Sequence, residues 1–288
     1  MIVLSKRYYP HGAIIRQDKR ASKNRKACIM ISIEKMFSLK GHTVIVTGGS
    51  RGIGRKVSDY LAAAGANIAI IGTRADTTKQ AADEIASSFG VRTTGIACNV
   101  ADRKEVIAMV DKVEEILGIP DLLLNNAGVS DNGPSETLTE EEWRHTIDIN
   151  LTGAFFVIQA FAKKLLDANH PGSIVNVASM CAHITCFPQR EAAYNASKAG
   201  LLHLSKSLAV EWALKGIRVN CISPGYIMTD MTAGITSPDL MKIWLDMTPV
   251  RRLGREEELA GAVIYLMSDA ATFTTGSEIV IDGAYTVL

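Results

Sequence analysis

From Thr43 onward, short runs of apolar and β-branched residues alternate along the chain with longer segments of helical periodicity. Seven of the short runs predict β-strands, at 43–46, 68–71, 93–98, 122–124, 174–177, 218–222 and 279–281. Several of these runs are apolar at every position, which is typical of strands covered on both faces of a parallel sheet.

The longer segments predict helices between the strands. In 103–117 the apolar residues recur at helical spacing, at Val106, Val110, Val113 and Leu117. Another helix is predicted to begin at Thr139, because Thr139 and Glu142 form a capping-box pattern. The alternation predicts an α/β fold, a doubly wound parallel sheet (Rossmann fold) in a single domain with helices on both faces.

The formal net charge of +1 combines two unlike segments. Residues 1–35 carry nine Lys or Arg and two acidic residues, whereas the rest of the chain carries 22 basic and 28 acidic residues. We therefore predict a basic N-terminal extension, 1–35, that is disordered, and a folded domain, 36–288. A disordered tail, or a start of translation at Met36, is favoured over a mitochondrial transit peptide, because the extension has few serines. The expected location is cytoplasmic, with the mitochondrion as the alternative.

Composition argues against several classes of function. No continuous apolar run reaches about 18 residues, so no membrane partner is expected. The balanced charge argues against a nucleic-acid partner bound through a basic surface. The five cysteines form no CxxC pair and the six histidines form no HxxxH pattern. We therefore predict free thiols in a reducing compartment and no metal site.

The first predicted strand runs into a glycine-rich turn, Thr47-Gly48-Gly49-Ser50-Arg51-Gly52-Ile53-Gly54, and a helix follows. Glycines let the backbone turn sharply and approach a pyrophosphate, which then lies at the positive N-terminus of the helix. The strand before and the helix after supply the context that a dinucleotide site requires. The candidate cofactor-binding residues in this turn are Gly48, Ser50, Arg51, Gly52, Ile53 and Gly54.

The end of the second strand predicts which dinucleotide binds. An acidic residue usually holds the ribose 2′-hydroxyl of NAD there, but this chain has Thr73-Arg74 and no acid before Asp76. A guanidinium matches phosphate oxygens through paired charge-assisted hydrogen bonds. We therefore predict NADP(H), with Arg74, Arg51 and Thr73 around the 2′-phosphate. The alternative is two solvated surface arginines.

Tyr194 and Lys198 lie four residues apart, on one face of a predicted helix. An ammonium near a phenol favours the phenolate and lowers the phenol pKa. Tyr194 is therefore predicted to exchange a proton with a substrate oxygen. The pair is common by itself, and it gains weight here from Ser179 and the glycine-rich turn.

Taken together, the TGxxxGxG turn, the NNAG motif at 125–128, Asn150, Ser179, the YxxxK pair and Pro224-Gly225 resemble the short-chain dehydrogenase/reductase family. The resemblance covers nearly all of 37–288 in the family's order, and it implies an NADP-binding catalytic domain. By this resemblance, Tyr194 is the catalytic acid/base and Ser179 holds the substrate carbonyl oxygen. Lys198 would tune Tyr194 and bind the nicotinamide ribose, and Asn150 would anchor a water in a proton relay.

The resemblance also implies further cofactor contacts, from Asn99, Val100, Asn125, Ala127, Gly128, Pro224, Gly225, Ile227 and Thr229, with Tyr194 and Lys198. Ile227 and Thr229 would meet the carboxamide. One position departs from the family, which usually has Asp-Val where this chain has Asn99-Val100. The amide oxygen of Asn99 can still accept a hydrogen bond from the adenine amino group.

The segment between Ser179 and Tyr194 resembles the fungal polyol and ketose branch of the family, which comprises sorbose reductases, mannitol dehydrogenases and D-arabinitol dehydrogenases. A polyhydroxylated substrate needs paired polar groups, because its hydroxyls lose water on binding. The candidate substrate-binding residues are Ser179, Cys181, His183, Gln189, Tyr194 and Trp244. Apolar neighbours such as Met180 and Phe187 keep a hydrophobic secondary-metabolite ketone open as an alternative, and they fit packing beneath a loop equally well.

The expected function is NADPH-dependent interconversion of a ketone and a secondary alcohol by hydride transfer, with a small-molecule carbonyl or alcohol as substrate. A 3-oxoacyl thioester reductase is an alternative, in which Arg190, Arg251, Arg252 and Arg255 would dock an acidic carrier. A cofactor-sensing regulatory protein is the non-enzyme alternative. The resemblance implies a homotetramer with contacts through helices around 143–168 and 192–214. Residues 226–252 are expected to form a mobile lid over the substrate.

Overall fold

Seven parallel strands form the central sheet of this computed structural model, which describes residues 32–131, 133–229, 232 and 237–288. The strands are β1 (Thr43–Thr47), β2 (Asn67–Gly72), β3 (Thr93–Ala97), β4 (Leu122–Asn125), β5 (Gly172–Val177), β6 (Ile217–Pro224) and β9 (Glu278–Ile281). Their order across the sheet is β3-β2-β1-β4-β5-β6-β9. A separate parallel pair is formed by β7 (Ile227–Met228) and β8 (Gly254–Arg255).

Helices connect the strands and cover both faces of the sheet. They are α1 (Ile33–Phe37), α2 (Gly52–Ala63), α3 (Ala75–Phe89), α4 (Arg103–Leu117), α5 (Glu140–Ile147), α6 (Ala154–Asp167), α7 (Ala192–Trp212), α8 (Pro238–Met247) and α9 (Ala260–Met267). A π-helical turn, Asp148–Gly153, joins α5 to α6. Residues from Glu34 to Leu288 form one compact unit, and residues 1–31 of the predicted extension lie outside the described residues.

Side chains on the two faces of the sheet pack into two separate hydrophobic cores. Val44 and Val46 of β1 pack in one core with residues of α2, α3 and α9, whereas Ile45 packs in the other with residues of α4, α6 and α7. All five residues of β1 are buried, as expected for a strand covered on both faces. The continuous apolar runs therefore predicted the seven strands correctly, and the predicted fold class is confirmed.

Two of the helices begin where short sequence patterns predicted them. The predicted helix at 103–117 is observed as α4, with Asp102 accepting the backbone N–H groups of Lys104 and Glu105 at its N-terminus. The predicted capping box is formed at the start of α5, where the Thr139 and Glu142 side chains each accept the other's backbone amide. Both signals act within one helical turn, so tertiary packing does not alter them.

Within the part of the chain that the structure describes, one helix is long and apolar enough to cross a membrane by length and composition. It is the continuous helix Glu140–Asp167. Its residues Val157, Phe161 and Leu165 are fully buried in the fold. Core helices pass the same test, so the finding assigns no membrane role.

The strand order reverses between β1 and β4, and this point positions the candidate site. Ligands of doubly wound sheets bind outside the carboxyl ends of the strands at such a switch point. The register places Thr47 opposite Asn125, and Asn125 opposite Asn176, at the ends of β1, β4 and β5. The glycine-rich turn, the NNAG motif and the segment after β5 therefore meet at one edge of the sheet.

Candidate active site

The glycine-rich turn leaves β1 in a conformation that requires glycine. Gly48 and Gly52 have positive φ values of 63° and 57°, which side chains rarely tolerate. A Cβ on Gly54 would lie 2.3 Å from the Gly48 carbonyl oxygen, so the first turn of α2 packs directly on the strand end. The turn therefore presents backbone and no side chain at its glycine positions. Ser50 and Ile53 in the same turn are half-buried, and Arg51 is exposed.

Thr47 and Asn126, which were not predicted as site residues, stabilise this turn through hydrogen bonds. The Thr47 hydroxyl accepts the backbone N–H groups of Asn126 and Ala127 at 2.9 and 3.0 Å. The Asn126 side chain donates to the carbonyls of Thr47 and Gly48 at 3.0 and 3.2 Å. Their position inside the TGxxxGxG and NNAG motifs is the signal that could have identified them.

Asn125 occupies a different position from the one expected of a residue that lines the cofactor. Its side chain is 3% exposed, and its amide donates to the Ala154 carbonyl and the Asn176 side chain, both at 3.1 Å. It also accepts the Thr47 hydroxyl at 3.2 Å. The side chain therefore ties β1, β4, β5 and α6 together beneath the site, and it is a positioning residue.

The predicted phosphate-binding arginine is held by an acid. Arg74, which precedes α3, donates from Nε and Nη2 to the two carboxylate oxygens of Asp76 at 3.2 and 2.5 Å. The hydrogen bond with Asp76 raises the pKa of Arg74, and the same bond lowers the pKa of Asp76. Thr73, next to Arg74 at the end of β2, and Arg51, just before α2, are also exposed. The Arg74 guanidinium is thus accessible to solvent and oriented to form two parallel hydrogen bonds with an anion.

Asn99 and Val100 follow β3 in a tight loop. The Asn99 side-chain oxygen accepts the backbone N–H of Ala101 at 3.1 Å, while its own N–H donates to Glu105 at 2.8 Å. An amide oxygen has two lone pairs, so the predicted hydrogen bond from an adenine amino group remains compatible with this loop. Val100 is buried and packs in the second hydrophobic core.

Asn150 lies in the π-helical turn between α5 and α6 and is 1% exposed. Its side chain exchanges two hydrogen bonds with the backbone of Val129, each 2.8 Å long, and donates to the Ser197 hydroxyl at 3.1 Å. Ser197 in turn donates to the Tyr194 carbonyl at 2.7 Å. Single π-helical turns frequently occur at functional sites because they interrupt the regular helical hydrogen bonds. Asn150 therefore links the loop after β4 to the helix that carries Tyr194.

Lys198 lies on α7 with its ammonium buried against the sheet. The side chain donates to the Val177 carbonyl at 2.8 Å and lies 5.5 Å from the centre of the Tyr194 ring. A Cβ on Gly128 would lie 3.5 Å from Lys198 Nζ and 3.2 Å from Asn150 Oδ1. The absence of a side chain at Gly128 therefore leaves room above both catalytic candidates. Burial lowers the pKa of Lys198 to about 8.

Tyr194 and Ser179 meet across the end of β5. Burial raises the pKa of Tyr194, and a hydrogen bond with Ser179 lowers it in part. The Lys198 ammonium is turned toward the Val177 carbonyl and lies 5.5 Å from the centre of the Tyr194 ring, so the expected lowering of the Tyr194 pKa by Lys198 stays a prediction. Tyr194 holds its proton at neutral pH.

Gln189 and Trp244 come together, although 55 residues separate them in the chain. The Gln189 side-chain oxygen accepts the Trp244 indole N–H at 3.1 Å and the Tyr226 hydroxyl at 2.7 Å. Tyr226 stacks on Trp244 with ring centres 4.0 Å apart, and its edge meets Tyr285 at 5.5 Å. Tyr226 was not among the predicted site residues, since only the fold shows what it contacts. We call Gln189, Tyr226, Trp244 and Tyr285 the aromatic cluster.

The other two substrate candidates have protein partners. The His183 ring shares a hydrogen bond with the Glu278 carboxylate of β9 at 2.7 Å. The Cys181 thiol is buried against Cys186 at 3.2 Å and Glu191 at 3.5 Å. Each of these side chains therefore already has a partner within the protein, and their contacts with substrate stay predictions. The backbone N–H of Cys181 instead donates to the Ser179 hydroxyl at 3.1 Å.

The chain after β6 returns to the site. Pro224 ends β6, and a Cβ on Gly225 would lie 2.7 Å from the Asp282 Cα, so glycine is required for this crossing. Ile227 is 5% exposed, and the Thr229 backbone N–H donates to the Thr232 hydroxyl at 2.8 Å. Of the predicted lid at 226–252, residues 230, 231 and 233–236 lie outside the described residues.

Comparisons with known proteins agree with this arrangement. A family model described as enoyl-(acyl carrier protein) reductase matches residues 48–286. A sorbose reductase of Candida albicans is 40% identical over 253 residues, which cover 87% of this chain and 89% of that protein. A probable NADP-dependent mannitol dehydrogenase of Yarrowia lipolytica is 39% identical over 256 residues, covering 88% of this chain and 91% of that protein.

The fold comparison gives the same result. The crystal structure of a short-chain type dehydrogenase/reductase from Mycobacterium marinum matches with a TM-score of 0.86 at 39% sequence identity. The match covers 89% of this chain and 100% of that chain.

Proposed function

Because the chain belongs to the short-chain dehydrogenase/reductase family, we propose that it is an NADPH-dependent oxidoreductase that interconverts a ketose and a polyol. The observation that carries the proposal is the convergence of three side chains. Tyr194 meets Ser179 at the end of β5, and the buried Lys198 ammonium lies 5.5 Å from the Tyr194 ring.

The residues at the switch point fit a nicotinamide dinucleotide. The turn at Gly48 and Gly54 is a cradle that a Cβ would fill, and it opens at the N-terminus of α2. Arg74 offers a bidentate guanidinium to a 2′-phosphate in place of the Asp76 carboxylate. When bound, the cofactor supplies or takes up the hydride. The NADP-dependent mannitol dehydrogenase among the relatives supports the choice of NADP(H).

Residues of the protein itself donate the proton to the substrate oxygen. Burial raises the pKa of Tyr194, so the phenol is protonated at neutral pH and can donate to the oxygen of a ketone. The Ser179 hydroxyl lies beside the phenol and is oriented by the Cys181 backbone N–H. A second donor at this place stabilises the negative charge that develops on the substrate oxygen. The Lys198 ammonium, which is charged at neutral pH, lies 5.5 Å from the phenol ring and stabilises the phenolate that remains after Tyr194 has donated its proton.

The ketose and polyol substrate class is supported by the sorbose and mannitol enzymes among the relatives. A hydrophobic ketone remains the second candidate, because the aromatic cluster places Tyr226 and Trp244 beside the segment that follows Ser179. An acidic acyl carrier has less support, although the matched family model is named for one. Three of the four arginines of the expected docking patch already pair with acids: Arg251 with Asp246, and Arg252 and Arg255 with Glu258.

The proposal is tested with Tyr194→Phe, because phenylalanine keeps the ring and removes the proton that is transferred. We expect the variant to lose ketone reduction by at least about a hundredfold while its Kd for NADPH changes little. The assay follows loss of NADPH absorbance with ketoses, hydrophobic ketones and acyl thioesters. The matched control is Tyr60→Phe on the exposed face of α2, which leaves turnover unchanged. Retained turnover in Tyr194→Phe would overturn the mechanism, and turnover confined to acyl thioesters would overturn the substrate class.

We also propose a homotetramer, as the sequence resemblance implied. Val210 on α7 and Leu214 just after it are apolar and almost fully exposed at the end of a long helix, and exposed apolar patches commonly mark subunit contacts. Sedimentation of the purified chain as a monomer at micromolar concentration would contradict this assembly.

A further inference from the structure

Cys181, Cys186 and Glu191 form a buried cluster between β5 and α7, which we call the dithiol cluster. Their exposed fractions are 8%, 1% and 7%. The two sulfur atoms lie 3.2 Å apart, and the Cys181 sulfur lies 3.5 Å from the nearer Glu191 oxygen. The proposed mechanism uses none of these three side chains, so the cluster calls for a separate explanation.

The geometry is close to that of a disulfide. A disulfide bond is about 2.05 Å long, so the two sulfurs need to approach by roughly 1 Å from their separation of 3.2 Å. Of the four residues between the cysteines, His183 and Thr185 are exposed, and the exposed Phe187 directly follows Cys186. This short segment lies outside the two large hydrophobic cores, so a shift of that size does not require either core to move.

We propose that Cys181 and Cys186 are a redox site, which a peroxide converts to an intrachain disulfide and a thiol reductant restores. The hydrogen bond between the two sulfur atoms lowers the pKa of Cys186, and the thiolate is the form that attacks peroxides. Cys186 is therefore the attacking residue and Cys181 the resolving residue. Glu191 accepts the proton of Cys181.

The chemistry balances in two steps. In the first, the Cys186 thiolate attacks one peroxide oxygen, the O–O bond breaks, and hydroxide leaves and takes up a proton to give water and a sulfenic acid. In the second, Glu191 removes the Cys181 proton, and the Cys181 sulfur attacks the Cys186 sulfur. The S–O bond breaks, and the departing hydroxide takes the proton from Glu191 as a second water. The peroxide is reduced and the two thiols are oxidised.

The disulfide would act on the catalytic serine through the backbone. The Cys181 N–H donates to the Ser179 hydroxyl at 3.1 Å, so a shift of Cys181 by about 1 Å misplaces the donor that orients Ser179. Gln189 lies in the same segment and holds Trp244 and Tyr226. Oxidation is therefore expected to lower turnover at least tenfold. This consequence rests on the proposed function, whereas formation of the disulfide does not.

The experiment treats the full chain with hydrogen peroxide and measures mass, thiol alkylation and NADPH-dependent turnover. Trypsin releases both cysteines in one peptide, 165–190. We expect this peptide to lose two hydrogens and to resist alkylation at both thiols, and we expect dithiothreitol to restore turnover. Cys186→Ser keeps its basal turnover under peroxide, whereas the matched control Cys98→Ser, a buried thiol elsewhere in the fold, responds like the native chain. Glu191→Gln slows the second step, so dimedone traps a sulfenic acid on Cys186.

Several outcomes would overturn the proposal. Free thiols in peptide 165–190 after peroxide treatment would show that no disulfide forms, and a disulfide that leaves turnover unchanged would remove its effect on Ser179. Stoichiometric zinc that survives dialysis and blocks alkylation of the reduced chain would make the cluster a metal site instead. The mass measurement needs no substrate. A disulfide in a chain that reduces no carbonyl compound would therefore count against the proposed function and not against the redox site.

Discussion

Replacement of Lys198 by methionine should make the protein more stable while it abolishes catalysis. The Lys198 ammonium is buried beneath Tyr194, where the Val177 carbonyl accepts its hydrogen bond. Burial disfavours the charged form of a lysine, so the folded protein carries an unfavourable charge at neutral pH. Methionine has a similar length and no charge, and it fills the same space with an apolar side chain.

The magnitude follows from the pKa of Lys198, which is about 8 in the fold against the ordinary lysine value of 10.5. A difference of about 2.5 pH units corresponds to about 3 kcal/mol. Loss of the hydrogen bond to the Val177 carbonyl offsets about 1 kcal/mol. We therefore expect the free energy of unfolding of Lys198→Met to exceed that of the native chain by about 2 kcal/mol at pH 7.

The titration of Lys198 determines how the stability difference between the two proteins changes with pH. Between pH 8 and pH 10.5 the unfolded chain retains the Lys198 proton and the folded chain has lost it, so the native protein gains stability as the pH rises. The unfavourable contribution is fully present below pH 8 and disappears toward pH 10.5. The stability difference between variant and native chain should therefore be largest at neutral pH and shrink as the pH rises above about 8.

Urea unfolding of both proteins at pH 6, 7, 8, 9 and 10 measures this difference directly. The matched control is Lys79→Met, because Lys79 is exposed on α3 and forms a surface ion pair with Asp83. It should change stability by less than about 1 kcal/mol at every pH. A Lys198→Met variant that is less stable than the native chain at pH 7, or a difference that stays constant from pH 7 to pH 10, would refute the reasoning.

Three further predictions follow from contacts around the site. Asp76→Asn should lower the Kd for NADPH roughly two- to fivefold by freeing the exposed Arg74 guanidinium, and it should leave the Kd for NADH unchanged; isothermal titration that shows equal gains for both cofactors would contradict this. Asn125→Ala removes three buried hydrogen bonds and should lower the free energy of unfolding by about 2–4 kcal/mol, so a loss below about 1 kcal/mol in urea unfolding would count against the role of Asn125. Gln189→Leu leaves the Trp244 indole N–H without its acceptor, so it should shift the tryptophan emission and raise KM more than it lowers kcat. An unchanged emission spectrum together with an unchanged KM would disprove that link.

Features that arise from neighbouring residues could be predicted from the sequence. Several strands of the sheet are continuous apolar runs because both of their faces are covered, and each predicted strand is present with its ends shifted by two residues or fewer. The capping box at Thr139 needs only one helical turn. The residues that meet at the switch point, including Tyr194 and Lys198, were found because motif order along the chain determines their place in a doubly wound sheet.

Side-chain partners across the sheet could not be predicted in this way. The motif places Asn125 at the end of β4, but the strand order decides that its amide reaches Asn176 of β5 and not the cleft. The dithiol cluster combines Cys181 and Cys186, whose spacing fits no common metal or disulfide pattern. The pKa of Tyr194 depends on how deeply the fold buries the phenol, and the spacing between Tyr194 and Lys198 does not indicate that burial.

The floor of the site and the aromatic cluster are stabilised by different interactions. This difference determines whether a substitution changes the substrate preference alone or the stability of the fold as well. The floor consists of buried hydrogen bonds among Thr47, Asn125 and Asn176, which leave an unsatisfied polar group if one partner is removed. The opposite side consists of the aromatic cluster, in which Tyr226 stacks on Trp244 and both rings donate to the Gln189 oxygen. Exchange of one ring for another apolar group leaves this oxygen its second donor, so the cost is smaller. Substitutions in the cluster should therefore alter which ketone is accepted while hydride transfer continues. Substitutions in the floor should lower the stability of the fold and the activity toward every substrate together.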